Sequence, residues 1–427
     1  MDNEIKMEVL KIDHDKSYKN IVFVENSSTN SSTDISRDAS NDEILVMLND
    51  KAAYNLISIF VTCGILMLVG IFGNSLVVQV YWCKMKSSAK RTFILALALL
   101  DLTVCIIVIP FELYDLRNQV MFYYDGLCKA MRFVEYATIL SAGFVLVSIS
   151  FERYYFLCRA FQEFSPRKAK LVCLACVVLA MLVATPSTLF AGSKTRHEKY
   201  GHWNITGCEC SMNSEQSFNN MFKRIYYYCL TAIFFGCFIV FIVIYTIIGR
   251  LLWKYQTGTL VPDMGKMSSR SSSPSSMFVN KKMSVEHSSG QSHASCSSNK
   301  ERNTSIHGRR CIKSAGSIII FFSVTVVFVL SFLPHIIIRL LLFFNMKLEE
   351  EFDKETSELL YNFVVRSYLI SNVTNPFIYS ILNKSFRREL KRTFRCFSIC
   401  RPSRKGTLLP TNVRKRNDHY KCKRLKF

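Results

Sequence analysis

Residues 128–159 read CKAMRFVEYATILSAGFVLVSISFERYYFLCR, and the rest of the chain is organised around them. Positions 136–151 carry no charge. A bilayer core takes about 20 apolar residues as a helix, so the stretch is long enough to cross one with some tilt. Cys128 stands at one end. The triplet Glu152, Arg153 and Tyr154 stands at the other. One carboxylate, Glu135, lies about two turns inside the cysteine end. A spanning helix with an acid near one face and a charged triplet at the other places two candidate sites on opposite sides of a membrane.

The surrounding chain repeats the pattern. It has 427 residues, 50% of them hydrophobic, with 33 Phe and only 16 Gly. A soluble chain of this length would divide into domains. Here the apolar residues fall into blocks at 54–82, 93–114, 128–158, 171–191, 222–253, 312–344 and 359–382. Each is of membrane-spanning length. The expected fold class is an all-α membrane protein: a seven-transmembrane helix bundle with a short amphipathic helix after the last crossing. The first twenty residues alternate in charge and hold no apolar core of signal-peptide length. Block one is therefore expected to direct insertion itself.

The formal net charge is +22, from 54 Lys+Arg against 32 Asp+Glu. Such an excess would suit nucleic acid, but its distribution excludes that partner. Lys84, Lys86, Lys90, Arg91, Arg159, Arg167, Lys168, Lys170, Arg309, Arg310 and Lys313 all fall on one side of the expected membrane. Asp125, Glu209, Glu349, Glu350, Glu351 and Asp353 fall on the other. The positive-inside rule then sets the N-terminus outside and the C-terminus in the cytoplasm. Membrane lipids, anionic ones on the inner side, are expected partners.

The regions follow. Residues 1–53 read as a disordered extracellular tail. Residues 54–383 form the membrane domain, with a flexible Ser-rich cytoplasmic loop at about 254–311 that is open to kinases. Residues 384–400 place Phe386, Leu390, Phe394 and Phe397 at helical spacing among Arg and Lys, as a membrane-surface helix would. Residues 401–427 are a basic tail. Asn26, Asn30 and Asn204 head glycosylation acceptors. Cys396 and Cys400 are candidate palmitoylation sites. Of the 16 cysteines, only Cys128, Cys208 and Cys210 fall where an extracellular disulfide could form.

Polar residues inside the blocks are costly and so informative. Asn74, Asp101, Asn372, Asn375 and Tyr379 would satisfy one another between helices, or form a polar core that repacks during switching. Pro334 and Pro376 interrupt blocks six and seven and are natural hinges.

Taken together, these residues resemble a class A, rhodopsin-like, G protein-coupled receptor, of the peptide-receptor type, over roughly 54–400. The motifs are Gly73-Asn74, Leu97-Ala98-Leu99-Leu100-Asp101, Cys128, Glu152-Arg153-Tyr154, Tyr245, the Phe328, Phe332, Pro334 pattern and Asn375-Pro376-Phe377-Ile378-Tyr379. The chain also departs from the family. Cys176 stands near the usual tryptophan of block four, and Cys237 near the usual proline of block five. Phe332 replaces the commoner tryptophan toggle. Ala142 stands where the cation-pocket serine is expected, and no metal or cofactor is assigned. No carboxylate stands at the base of block six, which implies a loosely locked inactive state.

The resemblance implies a plasma-membrane receptor, not an enzyme. It implies a heterotrimeric G protein, a receptor kinase and arrestin as partners. Glu152, Arg153, Tyr154, Tyr245, Asn375, Pro376 and Tyr379 would form the coupling switch, with Phe328, Phe332 and Pro334 as the hinge of block six. Cys128 would pair with Cys208 or Cys210. We prefer Cys210, because it leaves an easily crossed span ahead of block five.

The candidate ligand residues are Glu112, Arg132, Glu135, Tyr136, His335, Arg339 and Arg366. Glu135 occupies the place where amine receptors carry an aspartate. Arg132 lies three residues away on the same helical face, which favours an internal ion pair. A pocket with this many charges suits an extracellular peptide better than a small amine. A transporter or channel is the reading from another class, and it would want a repeat that is not seen. An opsin is excluded, because residues 359–383 hold no lysine.

Overall fold

The computed structural model describes residues 32–158, 164–200, 203–212, 220–257, 298–343 and 354–399. The helices are α1 (Ser32–Asn55), α2 (Ile57–Cys83), α3 (Ala89–Thr103), α4 (Ile109–Arg117), α5 (Asp125–Cys158), α6 (Pro166–Ala184) and α7 (Ser187–Phe190). After the hairpin β1 (Gly192–Tyr200) and β2 (Trp203–Ser211) come α8 (Asn220–Gln256), α9 (Ser298–Phe343), α10 (Lys354–Val365), α11 (Leu369–Leu382) and α12 (Lys384–Ile399). Among the described residues, six stretches are long and apolar enough to cross a membrane. Their outward faces expose Leu68, Phe72, Leu171, Leu174 and Leu182, each more than 60% accessible. Such surfaces belong in lipid, and the chain is a multi-pass membrane protein. The inward faces join in one core that includes Val77, Leu97, Ile149, Phe328 and Tyr379.

Local chemistry sets the ends. Ser88 caps α3 by accepting from the Arg91 amide, and Ser165 caps α6 by accepting from that of Lys168. Pro166 follows at the first helical position, where no N–H is needed.

Block two is not a continuous α-helix. A π-turn, Val104–Val108, lies between α3 and α4, and the Ile109 amide reaches back to the Val104 carbonyl. Pro110 supplies no N–H there, which loosens the ladder at this point. The extra residue turns the following side chains by about 100°. Gly70 of α2 passes close to the turn, and a Cβ there would meet the Cys105 sulfur at 2.3 Å.

Block seven, read as one crossing over 359–382, is two helices. Arg366, Ser367 and Tyr368 form tight turns between α10 and α11, such as Ser367 N to Val364 O at 3.1 Å. Val365, Arg366, Ser367, Tyr368 and Leu369 are all buried. One face of a regular helix cannot bury five consecutive residues, so the break is what lets them all point inward. Ser367 Oγ donates to the Ser331 carbonyl at 2.8 Å, in the turn before Pro334.

The tail also differs from its reading as disordered over 1–53. Residues 1–31, with Asn26 and Asn30, lie outside the described residues, but Ser32–Asn55 is helix. Ile44 and Leu45 pack on Val120 and Ile205, with Leu48 beside them. Asn49 donates to the Arg117 carbonyl at 2.9 Å, and Asp50 pairs with Arg117 at 2.7 Å. Composition hid this short apolar stripe among polar neighbours.

The hairpin pairs β1 and β2 antiparallel from Gly192–Ser211 to Tyr200–Trp203. The Cys208 backbone exchanges 2.8 Å hydrogen bonds with Val120 and Phe122. The disulfide joins Cys128 of α5 to Cys210 of β2, and Cys208 keeps its thiol. Asn204 is exposed on β2. The disulfide closes a sequence separation of 82 residues, and cross-links of that span contribute roughly 4 kcal/mol. Cys128→Ser and Cys210→Ser should therefore each cut surface expression severely, whereas Cys208→Ser should not. Flow cytometry of a tagged chain checks this, and an equal loss for Cys208→Ser would contradict it.

At the other end Asn383 turns the chain. Its Oδ1 accepts from the Ser385 and Phe386 amides, and its Nδ2 donates to the Tyr81 hydroxyl at 2.6 Å. This cap starts α12, whose Phe386 is buried against Tyr81 with ring centroids 5.8 Å apart. Leu390 also packs on the core, while Phe394 is 46% exposed. The side chains of Cys396 and Phe397, and all of Cys400, lie outside the described residues, as do residues 401–427 and most of the loop read at 254–311.

Candidate functional site

At the end of the bundle expected to lie outside the membrane, here called the outer site, a charge network joins α4, α5 and the α10–α11 break. The π-turn aims Glu112 and Asp115 of α4 at Arg132 of α5. The Arg132 Nη1 lies 2.8 Å from Glu112 and 2.9 Å from Glu135, and Nη2 lies 3.0 Å from Asp115. Arg366 approaches Glu112 through Nε at 2.9 Å and donates to Asn362 Oδ1 at 2.7 Å. Tyr368 donates to the second Glu135 oxygen at 3.0 Å. Both oxygens of Glu112 and of Glu135 are thus engaged. Glu112, Glu135 and Arg366 are nearly inaccessible, at 2%, 6% and 7%. Carboxylates buried in a low dielectric are costly, and the guanidinium groups of Arg132 and Arg366 offset that cost by pairing with them.

Tyr136, His335 and Arg339 lie at the same end of the bundle as the network. Tyr136 meets Tyr226 edge-on at 6.5 Å. His335 is fixed by a 2.6 Å hydrogen bond from Nδ1 to the Val365 carbonyl. Arg339 lies beside Tyr136, Tyr227 and Tyr361. Asp115, one of the charges that the sequence already places in this pocket, belongs to the site, and so do Asn362 and Tyr368, which escaped the sequence reading. Tyr368 had no signal, because only the helix break turns it inward.

Below the outer site runs a stack of rings. Phe332 lies 4.5 Å from Phe328, 5.6 Å from Tyr368 and 6.4 Å from His335, between centroids. Pro334 sits inside α9 beside it. This chain of contacts links the charge network to the middle of α9. In the centre Asn375 donates to Asp101 at 2.8 Å, and Asn74 donates to the Asn372 carbonyl at 2.8 Å. These bonds tie α2 and α3 to α11. Pro376 and Tyr379 are buried, and Tyr379 packs edge-on to Tyr81 at 6.2 Å.

The inner site surrounds Arg153, which is 1% exposed. It pairs with Glu152 and lies over the rings of Phe156 and Phe321, at 5.4 and 5.2 Å. Tyr154, the third of the triplet, is exposed at 37%. The α9 partner of Arg153 is thus an aromatic face rather than a carboxylate. Two further contacts hold the inner end of α9. The Tyr245 hydroxyl meets Thr325 Oγ1 at 3.2 Å, and Lys90 Nζ donates to Ser317 Oγ at 2.7 Å. Phe321, Thr325, Lys90 and Ser317 carried no motif and were missed. If α9 must leave this position for signalling, Ser317→Ala should raise ligand-independent output about fivefold, as losing about 1 kcal/mol would. A basal cyclic AMP or calcium assay in transfected cells checks this; an unchanged baseline would show that the contact does not hold α9.

The sequence profile described as 7 transmembrane receptor (rhodopsin family) matches residues 73–379, which is more than half of the chain. Similar curated proteins include a bombesin receptor subtype-3 of Ovis aries, 23% identical over 48% of this chain and 52% of that protein. A cholecystokinin receptor of Xenopus laevis is 28% identical over 45% of this chain and 42% of its own length. A QRFP-like peptide receptor of Branchiostoma floridae is 21% identical over 78% of this chain and 76% of its own length. The chain spans about half the length of the first two. A buried Arg153 under α9, the Asp101–Asn375 bond and the profile match agree: the chain belongs to the rhodopsin family of seven-transmembrane receptors.

Proposed function

We propose that the protein is a plasma-membrane receptor that converts binding of an extracellular peptide into activation of a cytoplasmic heterotrimeric G protein. The family is one of receptors, so the chain is read as a receptor and not as an enzyme. The observation that carries the peptide reading is the outer charge network. Its carboxylates are engaged by Arg132, Arg366 and Tyr368, so a compact amine finds no free acid at Glu135. The relatives named for peptides agree with this reading.

In the proposed topology α10 and α11 together form the seventh crossing, and α12 lies on the inner membrane surface with its basic face in the headgroups. The N-terminus is outside and the C-terminus inside. Glu112, Arg132, Glu135, Tyr136, His335, Arg339 and Arg366 line or frame the ligand site. Binding shifts the population toward a state in which α9 swings outward about Pro334, with Phe328 and Phe332 repacking. Glu152, Arg153, Tyr154, Tyr245, Asn375, Pro376 and Tyr379 then serve the G protein cleft, and Asn74, Asp101 and Asn372 form the polar core that repacks with them. Receptor kinase and arrestin would act on the cytoplasmic segments. Glycans on Asn26, Asn30 and Asn204 and palmitate on Cys396 and Cys400 complete the proposal.

The test is a second-messenger screen in transfected cells, reading calcium, cyclic AMP and G protein dissociation against peptide and amine libraries. A peptide hit supports the reading. An amine hit that is lost on Glu135→Gln would replace it with an amine receptor. Silence in every channel despite surface expression would favour a transporter.

A further inference from the structure

The seam between α9 and the α10–α11 pair carries a groove on its membrane side. It consists of two connected hollows of about 470 and 390 Å³, which share Leu330, Pro334 and Val364. Cavities of that size take small molecules. One hollow continues along Ile337, Ile338 and Leu341, and the other along Val327, Phe363 and Ile370. Both walls are irregular at the same level, because Pro334 lies inside α9 and the α10–α11 break stands against it. Such elements cannot keep ridges in grooves along their whole length, which leaves the hollows. On α9 the lining residues recur every three or four positions from Val327 to Leu341, one helical face about 21 Å long. That exceeds the roughly 15 Å of hydrocarbon in one leaflet. The groove is continuous with the lipid-facing surface of the bundle: Leu330, Ile337, Phe363 and Ile370 are 61%, 46%, 51% and 42% exposed, on or beside the span Gly316–Leu341. Among the described residues, no charged side chain lines it. Its two serines are tied to each other, with Ser367 Oγ donating to the Ser331 carbonyl at 2.8 Å.

Inside a bilayer the hydrophobic effect gives no reason to fill such a groove, because lipid tails are as apolar as its leucines. What remains is close packing, set against the entropy of ordering the occupant. An acyl chain must give up torsional freedom to lie in a fixed groove, whereas a rigid ring system has little to give up. The walls favour the rigid partner too, since Val327, Ile337, Ile338, Val364 and Ile370 are β-branched and stiff at χ1. With no charged residue in the lining, an ionic headgroup would find no partner there. We propose that the seam binds a sterol of the membrane, with its flat apolar body along Ile337, Pro334 and Val364 and its hydroxyl toward the Leu341 end. The sterol fits the seam as it stands, with Ser367 holding the turn before Pro334. It therefore favours that state. Under the receptor reading above, on which this consequence rests, it lowers ligand-independent output.

The full-length receptor is reconstituted in phosphatidylcholine nanodiscs and labelled with a photoreactive cholesterol, and the labelled peptides are mapped. Label should concentrate on residues 330–341 and 363–370 and saturate. Cholesterol should displace it, but its mirror image, which acts alike on the bulk bilayer, should not. Ile337→Trp fills the groove from a lipid-exposed position and should cut the saturable label about tenfold. Leu182→Trp, on the lipid-facing side of α6, should leave it unchanged. Cholesterol should also lower basal G protein activation about threefold in wild type and not in Ile337→Trp. Label spread over every lipid-facing helix, or displaced equally by the mirror image, is ordinary bilayer contact and overturns the site. That comparison needs only wild type, so it decides the site even where Ile337→Trp fails to fold. Saturable label at the seam from a photoreactive phosphatidylcholine, with none from the sterol, assigns the groove to an acyl chain and overturns the proposal. A mapped, saturable site with basal output unchanged by cholesterol overturns its hold on α9. A chain silent in every nanodisc and with every ligand defeats the receptor reading alone, since the labelling does not depend on signalling.

Discussion

Arg132→Ala will destabilise the receptor by about 3–5 kcal/mol, the cost of stripping one partner from a buried ion cluster. The reason lies in the stoichiometry of the outer network. One guanidinium touches Glu112, Asp115 and Glu135 at 2.8, 3.0 and 2.9 Å. Arg366 approaches Glu112 at 2.9 Å but Asp115 only at 3.9 Å. Removing Arg132 therefore leaves Asp115 and Glu135 without a close cation, in a region almost closed to water. Arg132→Lys should recover little, because a point charge cannot reproduce the fork that serves three acids. The double variant Arg132→Ala with Glu135→Gln should recover part of the loss, since one orphaned charge is gone. Thermal unfolding of detergent-purified receptor, followed by thiol labelling of its buried cysteines, measures all three. An unchanged midpoint for Arg132→Ala would mean that water reaches the carboxylates.

Arg153→Ala should reduce G protein activation to the level of untransfected cells at equal surface expression. Arg153 is buried and lies against α9 through the Phe321 ring at 5.2 Å. In the proposed active state α9 leaves, so the guanidinium would lose that face and become available to a cytoplasmic partner. Glu152→Gln should act in the opposite sense and raise basal output, because it removes the carboxylate that holds Arg153 inside. The opposed signs separate a coupling role from simple misfolding, which would lower both. G protein dissociation measured by energy transfer decides it. Wild-type coupling by Arg153→Ala would end the role assigned to this residue.

Much of the bundle was legible because a membrane imposes length and polarity rules that sequence obeys openly. Blocks one, three, five and six differ from their helices mainly at the ends. What could not be read is backbone irregularity. Nothing in IVIPFELYDLR announces a π-turn beyond Pro110, since a proline is equally at home in a simple kink. Nothing in VVRSYLI announces that Arg366 and Tyr368 face the same site, since on a regular helix they would point about 200° apart. Glu135 and Arg132 were paired correctly by spacing, but their shared partners lie in other helices and needed the fold. The inner site shows the same division. Glu152 and Arg153 are a visible motif, whereas Phe321 and Lys90 reach the inner end of the bundle only by tertiary placement.

The π-turn at Val104–Val108 has a consequence of a different kind. It acts as a phase setting between two halves of one rod. The lower half, with Asp101, is clocked by the α2 and α11 contacts, and the upper half inherits an offset of one residue. Deleting a single residue within the turn would leave the rod's length almost unchanged, yet it would rotate the acids of α4 by about 100°, out of the bundle and toward hydrocarbon. The outer and central sites of this protein are therefore coupled by angle as well as by distance, and insertions or deletions here are graded by rotation rather than by the amount of chain gained or lost.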